Sequence, residues 1–175
     1  ALIHDATLVT IGIILMFNYW AMIELWIKTT MLSYYWLTAS ILLVTFGIVN
    51  MIDLKKMIAY STVYQIGCAM FITVQIDQTL GIAYLEYHMF YKSTIFMITG
   101  IIIHTNWSFQ DYRMFTFRHN NSILSITITT LLTFCSCSLW LLFGFYVKEL
   151  TIDETTKHNH QQYTETTAII IYLVT

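Results

Sequence analysis

The chain has 175 residues, of which 57% are hydrophobic and only 10% are charged. A globular domain of this length usually carries about 25% charged residues, so the composition excludes an ordinary water-soluble domain and predicts a membrane protein. The net charge of −2 is too small to indicate nucleic acid as a partner. The sequence also lacks a phosphate-binding glycine loop, a Ser-His-Asp pattern, a haem-spaced histidine pair and a flavin fingerprint. Proton handling is the one chemistry that its side chains suggest.

Five segments are apolar enough to be membrane helices, which need about 20 residues each. In chain order they are predicted at 2–21, 29–52, 57–76, 79–104 and 121–147. The polar stretch 53–56, DLKK, is too short to be more than a turn between the second and third segments. The final residues 166–175, TTAIIIYLVT, are typical of the start of a further span. The predicted fold class is all-α, a polytopic transmembrane helix bundle with about five full spans and the start of a sixth.

The fourth segment contains LEYHMFYKSTIFMITGIIIH, with Lys92 in the middle of an otherwise apolar run. A lysine near the centre of a membrane helix costs about 2.5 to 3.5 kcal/mol on insertion scales, so such residues usually line a water-filled path or pair with one another. His88 lies four residues earlier, on the same helical face. The two side chains can hold or pass a proton if both are kept from bulk water. The alternative is a pair of satisfied polar groups in a helix contact.

The fifth segment ends at Lys148 and Glu149 and has a single glycine, Gly144. A break in the helix near this glycine would place Lys148 inside the membrane, as in the discontinuous helices that build ion sites in transporters. The alternative is a continuous helix whose lysine snorkels at the membrane edge. The polar tail that follows carries His158 and His160, which are too close in sequence to share a helical face, so no metal site is predicted.

Basic residues indicate the orientation of the chain. Lys55, Lys56, Arg113 and Arg118 fall in the second and fourth loops, which lie on one side of the membrane. The positive-inside rule then places the N-terminus inside.

Five motifs in sequence resemble one known family. They are ALIHDATLVTIGI, DLKKMIAYSTVYQIG, HMFYKSTIFMITGIIIH, QDYR and GFYVKELTID. In this order and spacing they resemble the antiporter-like membrane subunits of respiratory complex I, and among these the NADH dehydrogenase subunit 5 family. The resemblance covers residues 1–153, which we interpret as a partial antiporter-like transmembrane domain. Residues 154–175 are then a polar loop and the start of a further helix.

The resemblance implies roles for particular residues in a proton relay. Lys92 and His88 match the family's central polar axis, and His4 matches a histidine on the same axis. Lys148 matches the terminal lysine of the outward half-channel, and Glu149 its acidic neighbour. In the sister subunit 4 a glutamate would stand in place of Lys148.

The resemblance also identifies Asp53 and Lys55 as an inside-facing polar hinge. Two positions depart from the family pattern. Tyr84 stands where the family often has a second histidine, and Trp140 stands where it usually has the proline that breaks the twelfth helix. Without that proline the break would depend on Gly144 and on packing.

The resemblance implies a function in proton translocation from the matrix to the intermembrane space, across the mitochondrial inner membrane. NADH, FMN, iron-sulfur clusters and ubiquinone would be bound by other subunits, with no cofactor or metal in this chain. Alternatives are a subunit of a free-standing cation/proton antiporter and a structural remnant that no longer pumps. The survival of His88, Lys92 and Lys148 at family spacing argues against a remnant.

The chain begins where the family's eighth helix begins, so the resemblance also implies a split subunit. We expect a separate polypeptide to carry the upstream helices and a neighbouring antiporter-like subunit to lie beside them. Five helices alone would leave Lys92 and His88 facing lipid, where unsatisfied polar groups cost several kcal/mol. We therefore expect that polypeptide to cover this face.

Overall fold

The computed structural model describes residues 7–19, 22, 31–75, 77–114, 127–128, 130–131 and 143–157. Apart from short turns, this part of the chain is helical. The helices are α1 (Leu8–Asn18), α2 (Met31–Val49), α3 (Leu54–Gln75), α4 (Gln78–Thr105) and α5 (Phe143–Lys157), with one turn of 3-10 helix at Tyr112–Met114. Within the described ranges the only strand-like pairing is an isolated backbone bridge between Asp53 and Asp111. The predicted all-α class is confirmed.

Two predicted boundaries are wrong. The predicted turn 53–56 is shorter, because α3 already begins at Leu54 and includes Lys55 and Lys56 in its first turn. Helix α5 continues to Lys157 and so takes in the beginning of the stretch that we expected to be a polar loop. The proposed break at Trp140 and the candidate residue His4 lie outside the described residues, as does most of the fifth predicted segment.

Helix α3 is the centre of the bundle. It packs against α2 on one side and α4 on the other, and α5 packs against α4. The side chains of Cys68, Ala69 and Phe71 on α3 are fully buried. Single residues of the outer helices complete this core, Ile13 from α1 and Val147 from α5. The core is therefore built around one apolar helix.

The outer surface of the bundle is apolar, the reverse of a water-soluble protein. Trp36, Phe46 and Phe90 are each more than 70% exposed. Contiguous apolar surface of this kind marks contact with lipid or with other proteins. Among the described helices, Leu54–Val74 is long and apolar enough to cross a membrane by itself, and Tyr35–Val49 is apolar but shorter. Helix α4 has 28 residues, a length of about 42 Å at 1.5 Å per residue.

Hydroxyl groups within the helices are satisfied locally. Serine and threonine side chains donate hydrogen bonds to the carbonyl oxygen three residues earlier in the same helix. In an apolar environment this arrangement pairs each polar group without a partner from another helix. Examples are Thr10, Thr38, Ser40, Thr45, Thr62, Thr73 and Thr99.

Helices α3 and α4 form an antiparallel hairpin with a very short connection. Asp77 caps α4, since its carboxylate accepts hydrogen bonds from the backbone N–H of Thr79 at 3.2 Å and from the Thr79 hydroxyl at 2.6 Å. One turn later the two helices touch at Gly81. A Cβ atom at Gly81 would lie 3.0 Å from both the Cβ and the backbone nitrogen of Thr73. Glycine is therefore required for this close approach.

Replacing Gly81 with alanine should push α3 and α4 apart. We expect Gly81→Ala to destabilise the protein by about 1 to 3 kcal/mol, the usual cost of overpacking, measured as loss of thermal stability of the membrane assembly. Gly100→Ala, in the same helix, is the control, because a Cβ there has no neighbour within 4 Å. It should be neutral or stabilising by up to about 1 kcal/mol. Equal effects of the two changes would contradict the role given to Gly81.

Candidate functional site

Lys92 and His88 are buried one turn apart on α4. Lys92 is 5% exposed and His88 is 2% exposed. Their four-residue spacing puts both on the helical face that packs against α3. A polar pair thus lies inside the apolar bundle, where each group needs a partner.

The Lys92 amine finds its partner on α3. Lys92 Nζ donates a hydrogen bond to Ser61 Oγ. The Ser61 hydroxyl in turn donates to the carbonyl oxygen of Ile58, at 2.7 Å, one turn back along its own helix. A short chain of hydrogen bonds therefore runs from the lysine through the serine to the backbone of α3.

A second contact of the same kind lies on the other side of His88. The Tyr84 hydroxyl donates to the amide oxygen Oε1 of Gln65. Ser61 and Gln65 are four residues apart on α3, so they share a helical face as Lys92, His88 and Tyr84 do on α4. Two facing polar rows thus meet at the α3–α4 interface.

His88 lies between these two contacts. Its Nε2 atom is buried and has no hydrogen-bond partner among the described residues. The imidazole ring stands edge-on to the ring of Tyr91, with centroids 5.4 Å apart and planes at 87°. Tyr87 packs against Tyr91 at 5.0 Å, so aromatic rings hold the histidine in place.

Helix α5 brings a second buried lysine to the bundle. Lys148 is 8% exposed and lies close enough to Cys68 on α3 to act on its thiol electrostatically. Cys68 and Tyr64 are buried one turn apart on α3. Tyr84 on α4 is buried as well. The buried polar groups therefore extend across α3, α4 and α5.

The expectation that the helices of this chain alone would leave Lys92 and His88 facing lipid is wrong, and a covering polypeptide stays a prediction. Both side chains are buried by this chain itself, because α3 packs over them and Ser61 satisfies the lysine. Sequence inspection underestimated α3 because the polar residues on its face toward α4, Ser61 and Gln65, are uncharged. The four-residue spacing of Ser61 and Gln65 indicates that they share a face of α3, but it does not identify the residues that they meet.

The remaining predicted site residues are not gathered at this cluster. Glu149 follows Lys148 directly but is exposed. His4 lies outside the described residues. Asp53 and Lys55 lie at the far end of α3, where Asp53 forms an ion pair with Lys56 at 2.8 Å. The roles assigned to all of these residues stay predictions.

The N-terminal end of α3 is hydrogen-bonded to the loop after α4. The Leu54 N–H donates to the carbonyl of Gln110 at 3.1 Å, and the Tyr112 N–H donates to the carbonyl of Ile52 at 3.4 Å. These bonds place the side chains of Asp53 and Asp111 side by side. We call this pairing of 52–54 with 110–112 the loop clasp. It puts Lys55, Lys56 and Arg113 at one end of the bundle, as the orientation argument expects.

The pKa values of the two clasp carboxyl groups move in opposite directions. The hydrogen bond from Lys56, and next the one with Asp111, lowers the pKa of Asp53 below its ordinary value of 3.8. The hydrogen bond with Asp53 raises the pKa of Asp111 above the same value. Below the raised pKa of Asp111 the pair can therefore share one proton. Above that pKa both carboxylates are ionised and repel each other.

A family model describes the chain almost from end to end. Residues 1–172 match the transmembrane region of the NADH:quinone oxidoreductase/Mrp antiporter family. The chain belongs to this family. It is therefore a helical membrane protein, and the apolar surface of the bundle is the surface of an antiporter-family domain.

Several curated relatives of this antiporter-family chain are named NADH-ubiquinone oxidoreductase chain 5. The chain is 38% identical over 154 residues to NADH-ubiquinone oxidoreductase chain 5 of Trypanosoma brucei brucei, and the match covers 87% of this chain and 26% of the relative. The protein of the same name from Apis mellifera ligustica is 33% identical, with 87% and 27% covered. That from Aspergillus niger is 28% identical, with 100% and 26% covered. The chain spans about a quarter of the length of these relatives.

The loop clasp of this antiporter-family chain should depend on pH. The contribution of Asp111 is present at low pH and is lost as the pH rises through its raised pKa, whereas that of Asp53 is lost only as the pH falls through its lowered pKa. We therefore expect the exchange protection of the Leu54 and Tyr112 amides, corrected for intrinsic rates, to increase from pH 7 to about 4.

Asp111→Asn separates the contribution of the Asp111 proton from that of Asp53. An asparagine amide can donate to the Asp53 carboxylate at every pH. In this variant the two amides should be protected at pH 7 as well, and hydrogen exchange with mass spectrometry measures the difference. Asp111→Ala, which removes the donor, is the matched control. Protection in the unchanged protein that does not vary with pH would contradict the shared proton.

Proposed function

We propose that this chain is part of the distal proton-translocating membrane subunit of mitochondrial complex I, NADH:ubiquinone oxidoreductase. The observation that carries the proposal is Lys92, an amine buried in an apolar bundle and hydrogen-bonded across a helix interface to Ser61. Intramembrane ionisable residues that face the bundle interior mark ion and proton paths. The family match and the names of the relatives support the same conclusion.

The proposed relay uses groups that change charge by one proton. Lys92 holds a proton while its surroundings favour the ammonium and releases it when a neighbouring charge changes. His88 lies one turn away and can accept a proton at its unpaired Nε2. Lys148 is the second buried amine and is proposed as the terminal residue toward the outside. His4 and Glu149 are proposed as further members, and Lys92 is proposed to face a hydrated path near the middle of the membrane.

The redox chemistry is proposed to belong to other subunits. NADH, FMN, iron-sulfur clusters and ubiquinone would be bound elsewhere in the complex, and this chain would contribute only to proton movement. The proposed location is the mitochondrial inner membrane, with the loop clasp and its hinge residues Asp53 and Lys55 on the matrix side. The proposed partners are the bilayer, the polypeptide with the upstream helices and the neighbouring antiporter-like subunit.

A second candidate is a subunit of a free-standing cation/proton antiporter, because the family description includes the Mrp antiporters. Such a protein would exchange a cation for protons without NADH. Measurements of proton movement in membranes that contain the chain distinguish the two functions. Proton movement driven by NADH supports complex I, and movement driven by a sodium or potassium gradient alone supports the antiporter.

Lys92→Met tests the relay directly. Methionine fills a similar volume but carries no proton, so we expect proton movement per NADH oxidised to fall in vesicles that contain the assembled complex. The loss should include every proton that passes through this subunit. His104→Gln is the control, since His104 is an exposed histidine in the last turn of the same helix. Undiminished proton pumping by an assembled Lys92→Met complex would contradict the proposal.

The polypeptide composition of the assembled complex tests the proposed partner. The chain spans about a quarter of its relatives, and we expect the helices that precede this region in the family to be present in the same complex. Mass spectrometry of the complex after mild detergent extraction should find a separate polypeptide that carries them. An assembled complex without such helices, or one in which a longer form of this chain carries them, would contradict the proposed partner.

A further inference from the structure

The hydrogen bonds of Ser61 have a fixed direction. Its hydroxyl proton points to the carbonyl oxygen of Ile58 at 2.7 Å. A serine hydroxyl has one proton to donate and two lone pairs to accept with. With the proton already used, Ser61 can offer Lys92 only lone pairs, and the observed bond runs in that direction.

An acceptor of this kind favours the charged form of the lysine. An ammonium group has three donors and no acceptor, and a hydrogen bond from a charged donor is roughly twice as strong as one between neutral groups. The neutral amine can still donate to Ser61, but the bond is then weaker. Ser61 therefore stabilises protonated Lys92 relative to the neutral form.

No buried carboxylate within the described residues competes with Ser61 in this role. None of their buried side chains is an aspartate or a glutamate, so no carboxylate there can neutralise the lysine. Lys92 and Ser61 are also held in register by the close contact of Gly81 with Thr73. The titratable groups buried around Lys92 on the helices packed together are His88, Tyr84 and Tyr91 on α4, Tyr64 and Cys68 on α3, and Lys148 on α5.

We propose that Ser61 is a positioning residue for Lys92, which holds the amine against α3 and sets the pH range in which it takes up and releases its proton. The inference rests on the proposed function. In each cycle Lys92 loses one proton and regains one, and no other covalent bond changes. Ser61 does not itself give up a proton, because its hydroxyl stays bonded to Ile58.

Ser61→Ala tests the inference in the assembled complex reconstituted in vesicles. Removing the acceptor should make Lys92 lose its proton at lower pH. We expect the alkaline limb of the pH profile of proton translocation to move down by about one pH unit, the shift produced by losing one hydrogen bond to a charged group. The rate on the acid side of the profile should change little. Ser61→Thr, which keeps the hydroxyl, should restore the original profile.

Ser93→Ala is the matched control. Ser93 is buried, lies next to Lys92 in the sequence and, like Ser61, donates to a carbonyl three residues back, that of Phe90, at 3.0 Å. Its hydrogen bond does not involve Lys92, so its removal should leave the pH profile unchanged. A shift as large as that of Ser61→Ala would show a general packing effect and overturn the inference.

The outcomes separate this inference from the proposed function. If Lys92→Met stops translocation while Ser61→Ala keeps the original pH profile, the positioning role is wrong and the relay stands. If Lys92→Met leaves translocation intact, the relay itself is wrong. Native gels report whether each variant complex assembles. If the Ser61→Ala complex does not assemble, Ser61→Cys is measured in its place. Its thiol is a weaker acceptor, so a smaller shift in the same direction is expected and an unchanged profile would count against Ser61.

Discussion

The hydrogen bond from Lys92 to Ser61 is the interaction on which the arrangement of the buried helices depends. An amine in an apolar interior is tolerated only if it has an acceptor, because desolvation without a partner is very costly. Helix α3 must therefore lie where its serine meets the lysine of α4. The same alignment brings Gln65 to Tyr84 and Thr73 to Gly81, so one register satisfies the polar groups and the packing together.

This register is held at both ends of the α3–α4 pair. At one end the helices are joined through the Asp77 cap and approach closely at Gly81. At the other end the loop clasp joins residues 52–54 to 110–112 by backbone hydrogen bonds. The buried site lies between these two attachments. A proton site needs such support, since a small sliding of one helix would separate the amine from its acceptor.

The bundle combines an apolar outside with a partly polar inside. Outward-facing residues such as Trp36 and Phe90 are exposed, whereas Lys92, His88 and Lys148 are buried among tyrosines and small polar side chains. Helices in lipid gain little from hiding apolar surface, so their association depends on close packing and on hydrogen bonds between helices. In this chain the same interhelical bonds that hold α3 against α4 also set the environment of the candidate relay.

The sequence by itself determined the all-helical membrane character, because apolar composition and helical periodicity are local properties. It also determined that His88 and Lys92 share a face, since a four-residue spacing has one meaning in a helix. The partner of Lys92 was decided by tertiary structure alone. Ser61 lies 31 residues away along the chain. Its position opposite Lys92 depends on the register of α3 against α4, which the contact of Gly81 with Thr73 limits. Uncharged Ser61 and Gln65 carry no signal of that contact in isolation, and the pairing of Asp53 with Asp111 depends likewise on where two loops end. Such contacts arise from packing between distant segments, which a local pattern does not contain.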